Sequence, residues 1–103
     1  MNGLQSVVDS VFALRAYPAR FLSRTGKEPR ELAVVLEHGG RDKDGGEMVL
    51  RIRRSELPDE PEIGSVFECA GRTFHVRGVF PAPQTTSFVW AVSCSDNMRT
   101  SWR

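Results

Sequence analysis

Past Pro18 the apolar side chains recur with a period of two, in short runs broken by glycine and proline. That rhythm bounds the chain to a mainly β fold. The clearest run is 48–54, where Met48, Leu50 and Ile52 fall on one side and Arg51 and Arg53 on the other. The arginine side is expected to face water. The stretch 31–37, with Val34, Val35 and Leu36, is rich in strand formers, and 20–23 is long enough for one short strand more. Residues 66–69 and 72–80 predict a hairpin about Ala70-Gly71, in which Phe67 and Cys69 share a face with Phe74 and Val76. Gly71 supplies the positive φ that so tight a turn requires. In the last run Phe88, Trp90, Val92 and Cys94 alternate with Val89, Ala91 and Ser93. Several short strands with turn signals between them predict a small barrel-like or sandwich-like β domain.

The flanks obey other rules. Leu4, Val7, Val8, Val11 and Phe12 lie at i, i+3, i+4, i+7 and i+8, one face of an amphipathic helix over 3–16. Pro18 ends that pattern. A lone helix of this length is marginal in water, so it must dock, and the pattern fits its own β domain as well as a neighbour. Residues 38–47 hold four glycines and a group of charges with nothing to bury, which predicts a flexible loop. Pro58 and Pro61 among acids make 54–63 an irregular crossing, with Gly64 closing a turn. The resulting division is a single domain: a helical arm over 1–17, a β domain over 19–94 with its loop at 38–47, and a flexible tail over 95–103. With 103 residues, there is little room for a second domain.

Bulk charge removes several function classes. A net charge of +1 provides no basic field for nucleic acid or for anionic lipid. No apolar run approaches the roughly 20 residues of a membrane-spanning helix, and no membrane partner is expected. Asp9 interrupts the N-terminal apolar stretch, so no signal peptide is read there and a cytoplasm-like compartment is expected. The two cysteines, Cys69 and Cys94, sit in strand-like runs and are expected to be buried thiols.

Motifs of chemistry are tried and fail on their own requirements. Asp42-Lys43-Asp44-Gly45 opens like a calcium loop, but Gly46 and Glu47 occupy the fifth and sixth positions and Arg53 the twelfth, where a bidentate glutamate belongs. Gly40 and Gly45 have phosphate-loop spacing, but Gly46-Glu47 stands where Lys-Ser/Thr is required. His38, His75, Cys69 and Cys94 lack zinc-ligand spacing. No serine lies in a nucleophile-elbow pattern, and core thiols resist ionisation. Neither a catalytic site nor a cofactor is expected. An OB-like nucleic-acid surface built from Arg51, Arg53, Arg72 and Arg77 with Phe74 and Trp90 is the main alternative. Those aromatics follow the inward rhythm of the strands, and Glu56, Asp59, Glu60, Glu62 and Glu68 dilute the charge.

One ordered set of segments carries a resemblance. Val49-Leu50-Arg51-Ile52-Arg53-Arg54-Ser55-Glu56-Leu57-Pro58 is followed by Glu62-Ile63-Gly64 and then by Ala70-Gly71-Arg72-Thr73-Phe74-His75-Val76-Arg77. Together they resemble the head–tail joining (tail-attachment, head-completion) proteins of lambda-like bacteriophages. The first half of the chain matches only in layout, Ser65 stands where that pattern has Asp, and Ala82-Pro83-Gln84-Thr85-Thr86 replaces its Asp/Gly turn. The resemblance implies a compact β domain whose copies form a ring in the virion neck, assembled in the host cytoplasm. Its partners would be other copies of itself, portal or connector proteins on the head side, and tail-terminator or tail proteins on the tail side. DNA would be met only as the contents of the channel. The interface is expected on Leu4, Val7, Val8, Val11 and Phe12 of the helix, on Arg41, Asp42, Lys43 and Asp44 of the loop, and on Arg99, Trp102 and Arg103 of the tail.

Overall fold

The structure, a computed structural model, describes residues 3–26, 28–38 and 47–96. Helix α1 (Gly3–Arg15) is followed by strands β1 (Tyr17–Leu22), β2 (Arg30–His38), β3 (Glu47–Arg53), β4 (Val66–Cys69), β5 (Arg72–Val79) and β6 (Val89–Asp96). Every neighbouring pair is antiparallel, and the order β1-β2-β3-β6-β5-β4 closes on itself through a β1–β4 ladder. The architecture is therefore a closed β-barrel of six strands with one N-terminal helix.

The period-two pattern sets the register. Leu50 faces Val92 and Leu36, Ile52 faces Trp90 and Val34, and Phe67 faces Phe74, so each apolar set points into the barrel. Phe67, Phe74, Leu50, Ile52, Val34, Val76, Val92 and Cys94 are fully buried there. Each large side chain so placed contributes about 1.5–3 kcal/mol. Closure is made by Ala19 opposite Cys69 and Phe21 opposite Phe67, with the two phenyl rings 4.9 Å apart.

The crossing from β3 to β4 stoppers one end of the barrel. Leu57 enters the core, and its carbonyl accepts the Trp90 Nε1–H at 2.7 Å. Gly64, at φ +96°, turns the chain into β4; a Cβ there would stand 2.7 Å from Arg24 Cδ. Buried Ser65 is satisfied, since its Oγ accepts the Arg24 N–H at 3.1 Å.

Several boundaries differ from expectation. The first strand begins at Tyr17 and runs through Pro18, so the helical arm is shorter than 1–17 and ends at Arg15. Pro18 is tolerated because β4 stops opposite Ala19, leaving no ladder on that side to interrupt. His38 and Glu47 belong to strands, so only 39–46 of the expected loop remains, outside the described residues. Ser95 and Asp96 complete β6 opposite Glu47, His75 and Phe74 and are not tail. Phe88 precedes β6 and packs outside the barrel, beside α1, rather than inward with Trp90.

Candidate interaction surfaces

Helix α1 docks on its own barrel. Phe12 is buried against Val35 and Val89, with Val8, Ala16, Ala33 and Phe88 packed around them. These form a second small apolar cluster outside the barrel wall, on the outward faces of β2 and β6. The seat is pinned by Arg53 of β3. Its guanidinium lies 4.9 Å from the Phe12 ring, pairs with Asp9 of the helix at 3.1 Å, and pairs with Glu56 of the crossing. Glu56 in turn accepts the Ala33 N–H at 2.9 Å. The solvent-facing arginine expected on β3 is thus mostly covered at Arg53.

The docked helix buries only part of its stripe. Val8 and Phe12 face the sheet, while Val7 is 58 % exposed and Val11 40 %. Leu14, 85 % exposed, continues that outer line one turn on, at i+7 from Val7. A cleft of about 280 Å³ opens between this ridge and the barrel, floored by Val35 and Val89 and walled by Pro83, Gln84 and Thr86. The sequence stripe named Val7 and Val11 but passed over Leu14, although its spacing from both was the available signal. Leu4 lies in α1 with its side chain outside the description. Arg41, Asp42, Lys43, Asp44, Arg99, Trp102 and Arg103 also lie outside the described residues.

At the stoppered end a bowl of about 270 Å³ is lined by Phe21 and Leu57 within a rim that includes Asp59, Glu60 and Glu62. Among the described residues, no three His, Cys, Asp or Glu side chains gather in a way that could hold a metal ion. Burial pushes the Cys94 thiol up to about 12. It also raises that of Cys69, against the pull of the Arg72 guanidinium. Both thiols therefore stay protonated at neutral pH and make poor nucleophiles.

The arginines of the alternative nucleic-acid surface are largely engaged within the protein. Arg51 pairs with Glu37 at 3.2 Å, Arg53 is pinned as described, and Arg72 lies 5.3 Å from the Phe74 ring. Arg54 stacks 3.9 Å from the Trp90 ring and donates to the Thr86 carbonyl at 2.7 Å. Phe74 and Trp90 are core residues, which leaves neither as a platform for bases. Among the described residues no helix is long and apolar enough to cross a membrane. No protein-family model matches the chain, and no curated protein does.

Proposed function

We propose that this chain is a structural protein of the phage neck, which joins the DNA-filled head to the tail by docking in a ring and carries out no chemistry of its own. The observation that carries the reading is α1, fixed to the barrel by Phe12 and Arg53 yet turning Val7, Val11 and Leu14 outward. A rigid domain that presents an apolar ridge is suited to protein contact. The ordered segments 49–58, 62–64 and 70–77 support the same reading by their resemblance to head–tail joining proteins. The filled interior adds a constraint: DNA has no path through a single barrel, so any channel must lie between copies.

The test is complementation in an extract of tailless heads that lack this protein. Adding the purified full chain to its cognate heads should yield joined, infectious particles. Removing residues 97–103, which follow β6, should lower that yield while the far-ultraviolet spectrum of the barrel stays unchanged. Folded full-length protein that neither binds heads nor restores joining would overturn the neck reading.

A further inference from the structure

Among the described residues, the large apolar side chains left exposed fall in two places. Val7, Val11, Leu14 and Tyr17 follow the outer side of α1 and the start of β1, while Ile63 stands apart. Ile63 borders a groove whose wall also includes buried Pro61 and half-buried Val79, which packs against the barrel core. Topology sets the two places across the barrel from each other. The helix lies over β2, β3 and β6, whereas the groove is bounded by Arg24 beyond β1, by the entry to β4 and by the end of β5. In the closed order, the strand opposite β3 is β4.

Their charges are of opposite sense. The helical ridge ends on the exposed cation Arg15. The groove is flanked by Glu60 and Glu62, both exposed, in the acidic run Pro58-Asp59-Glu60-Pro61-Glu62. Glu62 already shares Arg24 at 3.8 Å, but both partners of that pair are more than half exposed. The ridge thus offers Val7, Val11 and Leu14 beside a positive charge, and the groove offers Ile63 beside negative ones.

We propose that the outer ridge of α1 in one copy docks on the Ile63 groove of a second copy, head to tail, with Arg15 set against Glu60 and Glu62. Two different surfaces of one chain make a heterologous contact, which closes into a ring where the rotation permits and runs on as a chain where it does not. Only closure into a ring rests on the neck reading; the pairing of the two faces does not. Each patch offers only a few side chains, short of the ~800 Å² per partner of a standard interface. The contact is therefore weak between free copies and becomes effective when neighbours are held side by side.

Sedimentation of the full chain at low salt, up to about 1 mM protein, reads an association of that strength. The wild type should gain mass with concentration. Arg15→Glu alone, and the double change Glu60→Lys with Glu62→Lys alone, should each weaken association by roughly tenfold, because like charges then meet. An equal mixture of the two variants should recover it, since each carries the complement of the other's reversed face. Leu14→Asp should abolish association with no loss of melting temperature. A wild type that stays monomeric throughout overturns the proposal, as does a mixture that fails to recover. If the Glu60/Glu62 variant associates like wild type while Arg15→Glu does not, the helix pairs with itself and the proposal is wrong. Head complementation by a protein that never self-associates would leave the neck reading standing without this contact, and self-association by a protein inactive on heads would do the reverse.

Discussion

At the residue scale, Arg53 shows how a polar strand position became a fastener. Its side chain is only 21 % exposed, and the Asp9 and Glu56 carboxylates and the Phe12 ring hold the guanidinium even though its buried Nε–H has no acceptor among the described residues. Among the described residues, Ala70 is the non-glycine position with a positive φ. It sits at φ +54° beside Gly71 at φ +77°, the paired left-handed geometry of a two-residue hairpin turn. An L-residue with a Cβ but no side-chain hydrogen bond is strained there by about 1–2 kcal/mol. Asparagine relieves this by bonding its own backbone. Ala70→Asn should therefore raise unfolding free energy by about 0.5–1 kcal/mol, read from the urea midpoint with the slope unchanged. A midpoint that falls would mean that the turn is held by something other than its local geometry. Sequence alone pointed to the need for positive φ at Gly71 and not at Ala70, because alanine carries no such signal.

At the scale of elements, α1 has two apolar lines with different work. Phe12, 6 % exposed, is the residue that seats the helix. Phe12→Ala should cost about 3 kcal/mol of stability. Leu14→Asp, on the outer line, should change it by less than about 0.5 kcal/mol. Chemical denaturation of the two variants reads the contrast, and equal losses would mean that the helix is not seated as described. The 3.6-residue period disclosed the helix and its apolar arc, but a helix resting on a sheet covers only a narrow strip. Which part of Leu4, Val7, Val8, Val11 and Phe12 lay underneath depended on Val35 and Val89, which belong to distant strands. Strand phasing was more legible, since Met48, Leu50 and Ile52 could satisfy burial in only one of two phases. Strand ends were less so. Ser95 and Asp96 join β6 through backbone pairing with Glu47, His75 and Phe74, and side-chain polarity says nothing about such pairing. Phe88 kept the alternation on paper, but the tie from the Arg54 N–H to its carbonyl at 2.9 Å lies ahead of β6, and its ring joins the helix cluster.

At the scale of the whole molecule, charge and packing bear on the nucleic-acid alternative together. The net charge is +1, and Arg51, Arg53 and Arg54 are committed to Glu37, Asp9 and Trp90. On that face the cations are therefore paired or stacked within the protein, which weakens the field that would displace counterions from a phosphate backbone. Duplex or single-stranded DNA should bind the isolated chain more weakly than about 100 µM at physiological salt, with a shallow salt dependence. Fluorescence anisotropy over a salt series would read both quantities, and tight, steeply salt-dependent binding would favour the nucleic-acid reading over the neck. The ladder between β1 and β4 has a different consequence. A sheet that ends leaves a row of unpaired amides and carbonyls on which another chain can build, the usual start of fibrils and of swapped strands. Here the first strand is spliced to the fourth over Ala19–Leu22, and among the described residues no strand keeps a whole free edge. Such a domain offers little template for its own aggregation at high concentration, which favours partners that grip side chains over partners that extend a sheet.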